Sequence, residues 1–210
     1  MKRPASGKLP WLILVLLFFN ACTGVTVKED VVGNQAAHQK RAEMLGLISD
    51  WGLVGKISLD DGDRGGSGKL RWNVKSQHST LDFHGAMGRG AWQLQTGPGG
   101  AVLKEANGAQ QTAVSVDDLV QQRMGWPVPV EALQWWVRGL AAPGVVENEE
   151  IDAEGRLQDL QQFGWRVEFS RYQTVEGIPL PKRLNAGRGD YRVKLAIGRW
   201  RLDLDKTLEN

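Results

Sequence analysis

Apolar residues change their spacing several times along this chain, and each change predicts a new structural element. Asn34 is a favourable N-cap, and the helical spacing of Met44, Leu45 and Ile48 predicts a helix that begins near it. A spacing of two, which is typical of half-buried strands, follows this helix. The apolar positions of that strand are Trp51, Leu53, Ile57 and Leu59.

Further strands are predicted between turns that are rich in glycine and proline. After a turn at Gly62–Gly68, the alternation resumes at Leu70. The other segments predicted as strands are STLDFHG, GAWQLQT, AVLKEA, GRLQDLQQFG, GWRVEFSRY and DYRVKLAIGRWRLD. Such a succession of short strands favours an antiparallel meander over alternating parallel strands and helices.

Two helices are predicted in the middle of the chain. The segment SVDDLVQQRMG has Ser115 as a candidate N-cap and two aspartates, Asp117 and Asp118, in its first turn. In GWPVPVEALQWWVRGL, Pro129 suits the first helical turn, and a broad apolar face follows it. That face is formed by Leu133, Trp136, Val137 and Leu140. Strands, a helical insert and further strands together predict an α+β fold with a mostly antiparallel sheet.

The N-terminus resembles the signal sequence of bacterial lipoproteins. Three basic residues precede an apolar run at Trp11–Phe19, which is shorter than the ~20 residues that a transmembrane helix needs. Cys22, the only cysteine of the chain, follows this run closely. We therefore predict a signal peptide at residues 1–21 and lipid attachment at Cys22. The alternative is an incidental cysteine after an ordinary secretory signal.

Removal of the signal peptide changes the charge balance of the protein. The formal net charge is +2, and it becomes −1 when the three basic residues of the signal are lost. Without a net positive charge, the electrostatic basis for nucleic-acid binding is missing. Residues 22–35 are polar and are predicted to form a flexible tether, while residues 36–210 suit one domain. Thr23, in place of an aspartate after the cysteine, favours the outer membrane by resemblance to proteobacterial lipoproteins.

The sequence contains no catalytic pattern. The segment GGSGK at Gly65–Lys69 departs from the spacing of a phosphate-binding loop at two positions, so a turn between strands is the better interpretation. His78, Asp82 and His84 could share one face of a strand, but such spacing arises easily by chance and favours solvated side chains over a zinc site. We therefore predict a protein that is not an enzyme and that uses no cofactor.

Tryptophan is unusually frequent, with nine in the chain and eight after the signal peptide. Filling of the core is one interpretation, and lining of a cavity is the other. The neighbours Trp135 and Trp136 differ by about 100° around a helix, so they cannot both enter one narrow seam, whereas an open apolar groove would contact both. The candidates for lining a cavity are Trp72, Phe83, Trp126, Trp135 and Trp136.

These segments together resemble the LolB family of outer-membrane lipoprotein receptors. The resemblance covers nearly the whole mature chain and includes Cys22. It further rests on WGLVGKISL, GGSGKLRW, FHGAMGRGAWQL, GWPVPVEALQWWVRGL with the AAPG that follows, and GWRVEFSRY followed by LPKRL. It implies a curved antiparallel sheet that forms an incomplete barrel, encloses an apolar cavity and is covered by helices.

The resemblance also implies a function. A protein of this kind would accept lipoproteins from a soluble periplasmic LolA-type carrier, hold their acyl chains and insert them into the lipids of the outer membrane. We expect a monomer, anchored in the outer membrane by an N-acyl and a diacylglyceryl group on Cys22, with its domain facing the periplasm. The alternative is a lipid-anchored scaffold of an envelope complex, with a filled core and no cavity for cargo.

The segment HGAMGRG is predicted to be a loop between two strands. Its glycines, Gly85, Gly88 and Gly90, permit tight turns and bring no side chains that could cover Met87. Chance exposure of one apolar residue is the alternative. By resemblance, Met87 matches the protruding apolar residue of LolB loops that is implicated in delivery of cargo to the membrane. Arg89 is placed to meet lipid phosphates.

Overall fold

The computed structural model describes residues 27–85 and 90–204, with the backbone alone for residues 27–33 and for Met124. Three helices and eleven strands occur in these ranges. The helices are α1 (Val27–Leu47), α2 (Val116–Met124) and α3 (Val130–Trp136). The strands are β1 (Trp51–Asp60), β2 (Gly65–Lys75), β3 (His78–Gly85), β4 (Trp92–Gly97), β5 (Gly100–Glu105), β6 (Gln110–Ala113), β7 (Val146–Ile151), β8 (Leu157–Gln162), β9 (Trp165–Val175), β10 (Ile178–Arg188) and β11 (Tyr191–Leu202).

All eleven strands belong to one antiparallel sheet. Their order is β6-β5-β4-β3-β2-β1-β11-β10-β9-β8-β7, so the first and last strands are neighbours at its centre. Within the described ranges, the edge strands β6 and β7 do not pair with each other, and the sheet is an incomplete barrel. The α+β fold predicted from the sequence is therefore confirmed.

Alternating burial defines the inner face of this sheet. In β2 the side chains of Leu70, Trp72 and Val74 are buried, while the residues between them are not. The same period of two recurs in β11 from Val193 to Ile197. On the inner side α2 packs against β5 and β6, and α3 packs against α2. The outer face is left to charged and polar residues.

Three strands are not predicted by the sequence pattern. The edge strands β6 and β7, with the sequences QQTA and VENEEI, are too polar to show an apolar alternation. Strand β10 contains Pro179 and Pro181, and proline is disfavoured inside a central strand. This strand tolerates them because its pairing with β11 begins only at Arg183, beyond both prolines. In addition, both proline carbonyls accept bonds from side chains, one from Arg41 and one from Trp200.

The helices differ from prediction mainly at their ends. Ser115 caps α2 as predicted, since its side chain accepts a bond from the Asp118 N–H. Helix α1 begins at Val27, inside the segment predicted as a tether, rather than near Asn34. Helix α3 ends at Trp136, short of the predicted end, because the left-handed backbone of Gly139 (φ 73°) turns the chain away.

Two buried arginines join α1 to the segment after α3. Arg41 of α1 donates to the carbonyls of Gly139 (2.7 Å) and Arg138 (3.0 Å). Arg138 in turn donates to the carbonyls of Leu45 (3.1 Å) and Ile48 (3.4 Å), at the end of α1. Each guanidinium therefore donates to carbonyls at a helix end, where the regular intrahelical hydrogen bonds stop. Burial lowers the pKa of both groups, that of Arg138 to about 10, so each cation remains charged at neutral pH.

Candidate functional site

A cavity of about 580 Å³ opens at the end of the barrel that contains the turn between β1 and β2. Its volume is within the range of roughly 300–1,000 Å³ that is usual for ligand pockets. The wall comes from the inner faces of the strands and from the segment after α2. Its large apolar members are Leu59, Phe83, Trp92, Leu103 and Trp126.

A second, wholly apolar cavity of about 40 Å³ lies deeper, between the sheet and the helices α2 and α3. Leu59, Trp92 and Trp126 line both cavities and therefore separate them. The remaining lining residues of the deeper cavity are Ile57, Leu70, Leu81, Leu94, Val120, Val128, Val130 and Leu133. The two indoles, of Trp92 and Trp126, thus lie between the open space and the deeper one.

Phe83 and Trp92 form a continuous aromatic wall of the open cavity. They are directly opposite each other on β3 and β4, and their rings stack with centroids 5.1 Å apart at an angle of 17°. Gly68 on β2 makes room for this pair, since a Cβ there would lie 2.7 Å from the Phe83 ring and 2.4 Å from the His84 carbonyl oxygen. A stacked pair of this kind contributes about 0.5–1.5 kcal/mol beyond its burial.

Two polar contacts cross the mouth of the open cavity. The Trp126 Nε1–H group donates to Asp61 Oδ2 (3.2 Å), and Arg123 Nε donates to Glu105 Oε1 (2.5 Å). The backbone N–H of Arg64, and to a smaller extent its side chain, donates to Asp61, and these hydrogen bonds hold the pKa of Asp61 below its usual value. The hydrogen bond from the Arg123 side chain likewise lowers the pKa of Glu105. Both carboxylates are therefore charged at neutral pH, and they tie the α2 segment to the sheet.

A carboxylate joins the two helices that cover the deeper cavity. Asp117 in the first turn of α2 accepts bonds from the backbone N–H groups of Val130 (2.7 Å) and Glu131 (3.3 Å). It thus caps α3, whose own N-cap residue, Pro129, makes no side-chain bond. Burial raises the pKa of Asp117 even though these two bonds oppose the shift. Helices α2 and α3 are consequently held together as one cover.

Two of the residues that the sequence suggests for a cavity lining, Phe83 and Trp126, line the open cavity. Trp72 lies elsewhere, fully buried in the core. Its Nε1–H group donates to Ser79 Oγ at 2.7 Å, and its ring contacts that of Trp51. Trp72, like Phe83, is on the inner face of its strand, but it packs against other core side chains and not against open space.

The neighbours Trp135 and Trp136 point in different directions, and neither lines the two cavities. Trp136 is fully buried, and its Nε1–H group donates to Gln162 Oε1 at 3.0 Å. Trp135 is half-buried, with the guanidinium carbon of Arg138 4.7 Å from its ring centroid. The angle of about 100° between neighbours on a helix thus separates the two side chains, one in the core and one against a cation.

Leu59 and Trp92 line both cavities but are not among the lining candidates that the sequence suggests. A signal existed for Leu59, which follows Ile57 at the strand period on the inner face of β1. Trp92 is opposite Phe83 only in the register that the sheet adopts, and the sequence does not reveal that register.

The predicted loop residues lie at or beyond the limits of the described chain. Gly85 ends β3 and pairs with Gly68, and Gly90 is part of the cavity lining. The segment 86–89 is therefore followed by a residue of the open cavity, and Phe83, two positions before Gly85, lines the same cavity. Met87, Gly88, Arg89 and Cys22 lie outside the described residues.

The described ranges offer apolar space with a charged rim, which suits a ligand with an apolar body and a polar head. Across these ranges, no group of three or more His, Cys, Asp and Glu residues is arranged to hold a metal ion. None of the helices described combines the length and the apolar character that crossing a membrane requires.

Comparison with known proteins identifies relatives over most of the chain. Residues 49–200 match the family model described as "Outer membrane lipoprotein LolB". The outer-membrane lipoprotein LolB of Pseudomonas syringae pv. syringae is 35% identical over 188 residues, which cover 89% of this chain and 92% of that protein. The outer-membrane lipoprotein LolB of Alkalilimnicola ehrlichii is 35% identical over 197 residues, with coverage of 93% and 98%.

A solved structure of a LolA superfamily protein from Nitrosomonas europaea aligns with 79% of this chain and 93% of its own, with 10% sequence identity and a TM-score of 0.47. Because this score is below 0.5, the assignment depends on the sequence matches. The matched residues begin just before β1 and end within β11, so they include both cavities and the helices α2 and α3. The chain therefore belongs to the LolB family of outer-membrane lipoproteins.

Proposed function

We propose that this protein receives acylated lipoproteins from a periplasmic LolA-type carrier, holds their acyl chains in its cavities and delivers them to the outer membrane. The observation that supports this proposal most directly is the pair of adjoining cavities. An acyl chain that enters the open cavity and displaces Trp92 or Trp126 would continue into a space with no polar lining.

The energetics of acyl chains explain why such a cavity is needed. A saturated chain of about 16 carbons gains on the order of 12 kcal/mol when it leaves water, at roughly 0.8 kcal/mol per CH₂. Free passage of an acylated protein through water is therefore negligible. Transfer proceeds if each acceptor binds the chains more tightly than the donor, from carrier to this protein and then to the bilayer.

Cys22 is the proposed site of attachment to the membrane. A diacylglyceryl group on its sulfur and an acyl group on its nitrogen would exceed the two signals that stable anchoring needs. Mass spectrometry of the mature N-terminus tests this point, and an unmodified Cys22 or a cut at another residue would refute it. Cys22→Ser in the full chain is expected to leave the signal peptide uncleaved.

A two-step assay tests the delivery function. The first step measures transfer of a lipoprotein from the carrier to this protein, and the second measures transfer from this protein to liposomes. We expect activity in both steps, and saturable binding of a long-chain apolar dye that lipoprotein cargo displaces. A folded protein that binds neither dye nor cargo would instead be a scaffold with a filled core.

A further inference from the structure

The turn between β8 and β9 presents an aromatic side chain in an unfavourable backbone conformation. Phe163 has a left-handed backbone (φ 55°), followed by Gly164 (φ 71°), in a two-residue hairpin turn. Asn, Asp or Gly is preferred at the first position of such turns. For a bulky residue this conformation is strained. Phe163 is also 44% exposed, so burial of its ring does not offset the strain.

Two valines extend this exposed apolar surface. Val145 is 77% exposed and Val146 is 36% exposed, and Val146 pairs with Gln162 beside the turn. The ring of Phe163 lies over Gly144, where a Cβ would be only 3.1 Å from it. Phe163, Val145 and Val146 thus form one exposed group, the Phe163 patch.

The Phe163 patch lies at the same end of the barrel as the cavity mouth. Strand pairing connects the two places in steps across the sheet. Leu59, which lines the cavity, pairs with Val193, and Val193 pairs with Ala186. Ala186 pairs with Val167, close to the start of β9 and its turn.

A group of cations adjoins the patch on the outer face of the sheet. A depression of about 320 Å³ is lined by Arg166, Arg188, Arg192 and Lys194, with Glu168 as its only carboxylate. Arg166 pairs with Asp159 (2.7 Å) and Glu168 (3.7 Å). The other three form no ion pair with any described residue. Arg188 is adjacent to the turn, since its Nε would be 4.0 Å from a Cβ at Gly164.

We propose that the Phe163 patch and these cations contact an anionic phospholipid surface and so hold the cavity mouth against the bilayer. Aromatic rings favour the level of the lipid headgroups, and basic side chains near an anionic surface are attracted to it. An apolar tip beside three cations that form no ion pair matches both requirements, and the one carboxylate bonded to the turn, that of Glu147, accepts the Gly164 N–H at 3.2 Å. The inference rests on the proposed function, because contact at this end matters only if cargo leaves there.

A polarity-sensitive dye at position 145 of the full-length protein tests this contact. Val145→Cys is labelled after reconstitution of the protein into vesicles, and its emission is compared between neutral phosphatidylcholine and phosphatidylcholine with added phosphatidylglycerol. We expect a blue shift in the anionic vesicles that high salt reverses. The wild type should take up no dye if the Cys22 sulfur carries lipid, and uptake would contradict the anchor rather than the patch.

Matched variants separate membrane contact from folding. Val114 is 96% exposed and lies beside Gly100, at the opposite end of the barrel, so a dye on Val114→Cys should not shift. In the labelled protein, Phe163→Asn should raise the melting temperature, because asparagine tolerates the turn, and yet reduce the shift. Joint Arg188→Glu and Arg192→Glu changes should abolish it.

Equal shifts at positions 145 and 114, or an unchanged shift in Phe163→Asn, would overturn the proposal. A shift that needs the LolA-type carrier and not anionic lipid would also overturn it, in favour of a protein-binding surface. Cargo uptake from the carrier is measured in the same samples. Normal uptake without a dye shift rejects the patch alone, whereas absent uptake rejects the proposed function even where the dye shifts.

Discussion

The indole nitrogen of Trp126 donates a hydrogen bond to Asp61, 65 positions earlier in the chain. This bond holds one wall of the cavity against the β1–β2 turn, so Trp126 cannot move aside without breaking it. Trp126→Phe keeps an aromatic ring but removes the donor. We expect faster association of a long-chain apolar dye, measured by stopped-flow fluorescence, with a stability loss near the ~0.5–1.5 kcal/mol of one hydrogen bond.

Trp200→Phe is the matched control for this variant. The Trp200 Nε1–H group donates to the Pro181 carbonyl at 3.0 Å inside the core, and Trp200 lines neither cavity. We expect it to lower the melting temperature without changing dye association. Equal association rates for Trp126→Phe and the wild type would show that the Asp61 bond does not restrict entry.

Disruption of the stacked pair of Phe83 and Trp92 should weaken ligand binding more than it lowers the free energy of unfolding. Phe83→Ser removes contact area worth about 1.5–3 kcal/mol, so affinity for an acyl-chain ligand should fall roughly 10- to 100-fold in calorimetric titrations. Because Phe83 is only half-buried, the loss in the free energy of unfolding should be below the ~3–5 kcal/mol of a core phenylalanine.

Phe169→Ser provides the comparison, since Phe169 is buried beside Tyr172 and lines neither cavity. It should cost the larger amount of stability and leave the affinity of the remaining folded protein unchanged. If both variants lose affinity in proportion to stability, Phe83 is an ordinary core residue.

The sequence predicts strands well where burial on one face imposes a period of two, as at Leu70, Trp72 and Val74. It fails at β10, where Pro179 and Pro181 oppose a strand locally. The carbonyls of these prolines are satisfied by Arg41 and Trp200, which are distant in sequence. Tertiary contacts of this kind leave no local pattern.

The cavity lining is harder to predict for a related reason. Period alone places Trp72 and Phe83 on the inner face, but it does not reveal what lies opposite each of them. Trp72 meets the ring of Trp51 in the core, with centroids 5.6 Å apart, whereas Phe83 borders open space. The volume left between helices and sheet depends on the whole fold.

Asp117 predicts a pH dependence of stability. Burial raises its pKa in the folded protein, so the folded state binds this proton more readily than the unfolded chain does. Ionisation therefore costs stability as the pH rises through the ordinary aspartate pKa of about 3.9 to the raised one. Asp117→Asn keeps an oxygen acceptor without the charge. Relative to this variant, the wild type should lose stability as the pH rises above about 4.

Urea unfolding at a series of pH values measures this difference. The difference in the free energy of unfolding between the two proteins should change over that interval and then become constant. A difference that is independent of pH throughout would mean that the carboxylate is as well solvated in the fold as in the unfolded chain.

The reciprocal contacts of Arg41 and Arg138 predict coupled losses of stability. Arg41→Met removes the side-chain donor from the carbonyls of Gly139, Arg138 and Pro179, and Arg138→Met removes it from that of Ile48, at a cost of about 1–3 kcal/mol for each buried carbonyl left without a donor. Loss of either arginine loosens the same junction, so the double variant should cost less than the sum of the single ones. Chemical unfolding of the four proteins in this cycle gives the coupling, and strict additivity would show that the two arginines act independently.

Met87 predicts a defect in the last step of delivery. Gly90, three positions after Met87, lines the open cavity, and Gly85 ends β3 two positions before it. Met87→Glu should leave cargo uptake from the carrier intact and block transfer to liposomes, since a charge disfavours entry among lipid chains. Met87→Leu should transfer normally. Unimpaired transfer to liposomes by the Glu variant would exclude Met87 from the mechanism.

The pairing of β1 with β11 has a consequence for biogenesis. Trp51 is opposite Leu202, so the middle of the sheet joins the first strand synthesised to the last. Contacts so distant in sequence form slowly, because a long loop must close before they are made. Until β11 is available, β1 and β10 each present an unpaired edge. A nascent chain in that state cannot complete its core, so the domain folds only after its C-terminal strand has been synthesised and released.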